Sequence, residues 1–175
     1  MGSENVRMHL GELRGLAEVL EGGVDAVQAR GSAPALAADE ITVLRELERG
    51  RLVPDPSTGT HPHAAVWLRA LEKLVDATCE RVADVSVVAD PDDTPVLWKL
   101  VTTSADGAVA LPISPTGMPA LTHVSAEKAG ALLAELEALE PPPAHLVPAA
   151  SRTAIHEALK RATAESSGLW VYWSS

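Results

Sequence analysis

The sequence of 175 residues predicts an α+β fold. The expected architecture is a small central sheet, mixed or antiparallel, covered by about five helices in one domain spanning residues 1–175. Two observations lead there. Residues 81–114 run as short segments rich in Val, Leu and Thr, broken by Pro, Asp and Gly, which is the pattern of strands joined by turns. Nearly everything outside that stretch repeats its apolar residues at intervals of three and four, as helices with one buried face do. A chain of this length can bury about 70% of the surface its unfolded form exposes, enough for a single core. No internal repeat or long linker divides it.

The elements follow in order. Val6 to Leu10 fits either a short opening strand or the first turn of a helix. Leu10, Leu13, Leu16, Ala17 and Leu20 line one helical face, and Gly22-Gly23 ends it. Val24 to Arg30 suits a short helix, with a Gly-Ser-Ala-Pro break after it. Asp39 can cap the next helix, whose face is Ile41, Leu44 and Leu47 and whose stop is Gly50. The prolines and glycine of residues 51–63 indicate a surface loop. The clearest helix runs from His63 to Ala83, with Trp67, Leu71, Leu74, Val75, Thr78, Cys79 and Val82 on one side and Arg69, Glu72, Lys73, Asp76 and Glu80 on the other.

Within the sheet stretch, Ala-Asp-Gly at 105–107 suggests a hairpin, although Val96 to Val101 also fits a turn of helix, because short apolar runs do not declare their period. Prolines 112, 115 and 119 with Gly117 then impose an extended loop through Thr122. Ser125 caps a helix with Ala129, Leu132, Leu133, Leu136 and Leu139 inward, and prolines 141–143 end it. Ser151 caps the last helix, which has Ile155, Ala158, Leu159 and Ala162 inward and stops at Gly168. Leu169 to Trp173 is the final strand.

Composition excludes several function classes. Hydrophobic residues make up 46% and charged residues 22%, the balance of a folded globular protein rather than a disordered one. No apolar run approaches the roughly 20 residues of a membrane span, and the first residues lack the basic and apolar regions of a secretory signal. A lone cysteine, Cys79, forms no intrachain disulfide, so the expected compartment is the cytoplasm. The net charge of −10, with no cluster among ten arginines and four lysines, argues against nucleic acid as a partner. Absent Phe and scarce Lys, beside abundant Ala, Val and Arg, read as the codon bias of a GC-rich bacterial genome.

Few residues point to chemistry. His61 and His63 bracket a proline and can chelate a transition metal as a pair, but no further ligands lie near them in sequence, so no metal is expected. Asp90, Asp92 and Asp93 gather at a turn, where Asp serves local hydrogen bonding as readily as metal or acid–base work. Cys79 falls on an apolar helical side and reads as a small buried hydrophobe. Nucleotide-binding and hydrolase signatures are missing. His123, His156 and Asp90 are the candidate acid–base residues. The aromatics are the strongest lead: Trp98, Trp170, Tyr172 and Trp173 are the candidate ligand- or partner-binding residues. Alternation sets Trp170 and Tyr172 on one face of the last strand and Leu169, Val171 and Trp173 on the other. One of those faces belongs to the core, leaving the other for a pocket or a partner.

Residues 112–119 (Pro-Ile-Ser-Pro-Thr-Gly-Met-Pro), 122–139 and Gly-Leu-Trp-Val-Tyr-Trp at 168–173 occur in an order that resembles the YfbM-like group of small bacterial proteins. The resemblance covers the C-terminal half. It implies an α+β domain and carries over no catalytic residue. Two readings of function result. The first is a binding or interaction module, an accessory or immunity-type protein that captures a partner protein or small molecule. The second is a small enzyme with a pocket between sheet and helices. No cofactor is expected in either.

Overall fold

Residues far apart in the chain are hydrogen-bonded neighbours at the centre of the protein. The computed structural model describes residues 3–12, 24–25, 28, 35–48, 64–102 and 120–174. Strand β1 (Glu4–Leu10) lies antiparallel to β4 (Leu169–Ser174), in register from Asn5 opposite Ser174 to Leu10 opposite Leu169. Strand β2 (Glu80–Val87) flanks β1 and β3 (Ala120–Val124) flanks β4, so the four-stranded sheet has the order β2-β1-β4-β3 and is antiparallel throughout. The described residues thus form the α+β fold that the spacing predicts.

Helices cover both faces, each of which carries apolar residues of β4. On one face Val6, Met8, Ala83, Val85, Val87, Val124, Leu169, Val171 and Trp173 meet α3 (Pro95–Thr102), α4 (Ala126–Ala138) and α5 (Ala149–Ala164). On the other, Leu121, Trp170 and Tyr172 meet α1 (Ala38–Glu48) and α2 (Ala64–Thr78) through Leu44, Leu68, Leu71, Leu74 and Val75. Each of these buried Leu and Val side chains contributes about 1.5–3 kcal/mol by leaving water. Leu169 to Trp173 are all buried, so the face of the last strand that the alternation leaves for a pocket or partner is core as well.

Several boundaries differ from the sequence reading, each for a physical reason. The clearest helix ends at Thr78, not Ala83; from Glu80 the period changes to two, with Ala83, Val85 and Val87 buried and Asp84 and Ser86 exposed. A bulge lies at Val82, since Met8 faces Ala83 while His9 faces Arg81. Residues 95–102, within the expected sheet stretch, are helix α3: Thr94 bonds Asp90 and precedes Pro95, a favoured first helical residue, and Val96, Leu97, Leu100 and Val101 share one buried side. Residues 120–124, expected as the end of a loop, are β3, a short edge strand. The last helix starts at Ala149, ahead of Ser151, whose Oγ instead donates to the Ser86 carbonyl at 3.3 Å. Ser125 does cap α4, accepting from the Lys128 amide. Val24, Asp25 and Gln28 are helical. Leu10, expected to open a helical face running to Leu20, is the last residue of β1; the rest of that stretch (13–20), the 51–63 loop with His61 and His63, the 105–107 hairpin and the proline loop of 112–119 lie outside the described residues.

Two close approaches constrain the sheet's end. The Gly11 amide donates to the Gly168 carbonyl at 2.9 Å, and the Gly168 amide donates to Glu12 Oε1 at 2.9 Å. A β-carbon on Gly168 would lie 2.2 Å from His123 Nε2 and 2.8 Å from the Gly11 carbonyl oxygen, and one on Gly11 would lie 2.3 Å from Cys79 Sγ. Helix α5 closes just before this point through paired bonds from Ser166 to Thr163 and from Ser167 to Ala162, with Ser166 at φ 51°. Glycine is the usual residue there because it has no β-carbon to clash.

Two substitutions test this closure. Ser166→Gly is expected to stabilise the protein by about 0.5–1 kcal/mol in chemical denaturation, through relief of the left-handed conformation. Gly168→Ala is expected to cost about 1–3 kcal/mol by overpacking against backbone.

Candidate functional site

The structure disperses the sequence-nominated residues. His123 sits on the α2 side of the sheet, edge-on to Trp170 at 4.8 Å between ring centroids, with Nε2 3.0 Å from the Gly11 carbonyl oxygen. That bond makes Nε2 the protonated nitrogen, and burial pulls the pKa of the ring down. His156 is on α5, its Nε2 2.9 Å from Glu137 Oε1 and its Nδ1 3.5 Å from Glu157 Oε1. Asp90 lies in the turn between β2 and α3, where its Oδ1 accepts from the amides of Asp92 and Asp93 at 2.8 and 3.0 Å, bonds that hold its carboxyl below the usual range. The three therefore take separate partners on separate elements and form no shared acid–base centre.

The aromatics serve the cores. Trp98 meets Trp173 edge-on at 6.0 Å, and Trp173 Nε1 donates to Glu4 Oε2 at 2.8 Å. Trp170 is fully buried, and among the described residues its Nε1 has no hydrogen-bond partner. Tyr172 lies under the Arg7 guanidinium, 4.9 Å from the ring centre. Cys79 is a free, half-buried thiol packed against Gly11, and burial raises its pKa, the opposite of what a nucleophile needs.

A charged layer, to which Glu72 and Asp76 from the polar side of α2 contribute, lies between α2 and the sheet. His9 is fully buried on β1, with Nε2 2.9 Å from Asp76 Oδ1, and Arg81 Nη2 reaches the same oxygen at 2.8 Å. Arg7 Nη1 lies 2.8 Å from Glu72 Oε1, off the line of any hydrogen bond. Burial raises the pKa of Glu72 and lowers that of His9, in His9 against the opposing pull of Asp76. Glu40 on α1 is also fully buried and is satisfied by Arg69, Lys73 and the Ala37 amide, which bind it at 2.8–2.9 Å. These carboxylates have cations opposite them; Glu72 and Asp76 tie α2 to the sheet, and Glu40 ties α1 to α2. The signal for them was present in the sequence, as polar residues at 5, 7 and 9 alternating with apolar 6, 8 and 10. It is legible only once β1 is known to be a central strand.

The concave surface is elsewhere. Where the start of α3, the end of α4 and the start of α5 converge there is a groove of about 440 Å³, floored by Val96, Leu97, Leu136, Val147 and Ile155. Leu139 lies on its rim at 40% exposure, the one large apolar side chain so exposed among the described residues. A second groove of about 550 Å³ adjoins it through Leu136, Pro142, Val147 and Arg152, and reaches His156 and Glu137. Arg152 Nη2 donates to the Leu136 carbonyl at 3.3 Å, and its buried Nε has no partner among the described residues. Asp92, Asp93 and Glu140 stand around the first groove. Among the described residues, no three His, Cys, Asp or Glu gather as a metal site, and no helix is long and apolar enough to cross a membrane.

The buried histidines give a pH prediction. Their folded-state pKa values lie below the ordinary value of about 6.5, so in that window the unfolded chain binds more protons than the folded one. Their contribution to stability is complete above about pH 6.5 and falls as the pH drops through it. Glu72, raised, works in the opposite sense, stabilising the fold at low pH and losing that contribution as the pH rises through its folded value. The denaturant midpoint is thus expected to fall further between about pH 7.5 and 5.5 in the wild type than in His9→Gln/His123→Gln.

No family model, curated protein or solved structure matches this chain, so the likeness of its C-terminal half to the YfbM-like group gains no support from those comparisons.

Proposed function

We propose that this protein is a binding module, an accessory or immunity-type protein that captures a partner through the groove formed by α3, α4 and α5. The observation that carries this reading is the pair of adjoining grooves, with an apolar floor and an exposed Leu139 at the rim. The floor residues Val96, Leu97, Val147 and Ile155 belong to the core, whereas Leu139 is held exposed beside this concave site, an arrangement that favours a ligand that covers it. The groove takes over the role expected for Trp98, Trp170, Tyr172 and Trp173, which are engaged in the cores. The enzyme reading has no comparable support, because His123, His156 and Asp90 bind separate partners. A reducing cytoplasm suits the free Cys79 thiol, and a net charge of −10 disfavours nucleic acid as the partner.

Affinity purification from the native host, followed by native mass spectrometry, tests this. A stoichiometric partner or small molecule should accompany the wild type and be lost with Leu139→Asp, a change at an exposed position that leaves the cores intact. Equal recovery with both proteins would remove the groove from the binding role.

A further inference from the structure

We propose that the occupant of the groove is a segment of a partner protein carrying an apolar anchor residue flanked by lysine or arginine. This deepens the binding-module reading and rests on it. Three features converge on this chemistry. The first groove, about 440 Å³, has an apolar floor and the size of an ordinary ligand pocket, about 300–1,000 Å³.

The charge around it is acidic. Asp92, Asp93 and Glu140 are exposed at the first groove and Glu137 at the second, and among the described residues the first three have no cationic partner. The arginine that lines both grooves, Arg152, already commits Nη2 to the Leu136 carbonyl. A carboxylate ligand would therefore meet several like charges and one half-engaged cation, whereas a basic segment would meet complementary charge.

The end of α4 adds to this. A helix C-terminus carries partial negative charge and is normally balanced by basic residues, yet the last turn of α4 has none. Glu135 and Glu137 stand there instead, with Glu140 just beyond, and Pro141–Pro143 bring no amide hydrogen to the last carbonyls. Lys99 on Glu135, His156 on Glu137 and the Arg152 guanidinium on the Leu136 carbonyl relieve part of this field from neighbouring helices. A lysine or arginine from a partner would relieve the rest. The two grooves share Leu136, Pro142, Val147 and Arg152, and this track from one to the other suits an extended chain better than a compact small molecule.

The test is fluorescence anisotropy with short labelled peptides that alternate leucine with lysine, leucine with glutamate, or serine with lysine. The leucine–lysine peptide is expected to bind best. Its Kd should rise about three- to tenfold in Glu137→Gln/Glu140→Gln, as expected for loss of two partly exposed charge pairs. It should also rise in Leu139→Ala. The charge-matched Asp25→Asn/Asp84→Asn, on the opposite side of the sheet, should leave it unchanged. Equal weakening by both charge variants would mean attraction to net charge alone and would overturn the proposal. Preference for the leucine–glutamate peptide would overturn the basic partner while leaving the groove as a binding site. Tighter binding of a small cationic amphiphile such as dodecylamine would assign the groove to a small molecule instead. If no peptide binds the wild type, the proposal fails, and the Leu139→Asp purification decides the binding-module reading independently.

Discussion

The structure depends on one constraint: β4 is apolar on both faces, so it is stable only as an inner strand with a layer of helices above and another below. Leu169, Val171 and Trp173 require α3, α4 and α5, and Trp170 and Tyr172 require α1 and α2. An inner strand also needs two hydrogen-bonded neighbours. β1 and β3 supply them, and β2 pairs with the far side of β1. Because β1 is apolar on one face but carries Asn5, Arg7 and His9 on the other, α2 has to bring carboxylates over it. Glu72 and Asp76 are the response. Burying an unpaired arginine or histidinium would cost far more than the ion pairs contribute.

How much of this was legible follows from how local each signal is. Ser125 at the start of α4, the prolines after it, and the apolar stripe of α5 act within a few residues, and the sequence declares them. The outer face of the last strand was misjudged because alternation separates two faces without saying that both are covered. Val96 to Val101 carries equal apolar weight at either period, and the decisive residues are Thr94 and Pro95, which set a helix start just ahead of the run. β3 was hidden for the opposite reason: five residues after a proline-rich stretch show little pattern, and their strand geometry comes from pairing with β4.

The groove was the least legible feature. Its floor is assembled from the first turn of one helix, the last turn of a second and the first turns of a third, and no linear pattern links Leu97 to Leu139 or Ile155. The acidic residues around it occur in the sequence as ordinary turn and helix-end residues. They gain a common meaning only when α3 and α4 set Asp92, Asp93 and Glu140 around one cavity. His123 shows the reverse case. It stood out as a titratable group, yet its ring fills the space left by the missing side chain of Gly168.

The pairing of Leu10 with Leu169 has a consequence for how the protein is made. The two partners are separated by most of a polypeptide, which a ribosome extends at about 5–20 residues per second, so β1 emerges on the order of ten to thirty seconds before its central neighbour exists. Until then β1 has only β2 to pair with, and the helices of the first half have no Trp170 or Tyr172 to pack on. The four-stranded sheet is therefore complete only after its last strand is translated, whereas the β1–β2 pair has both of its strands much earlier.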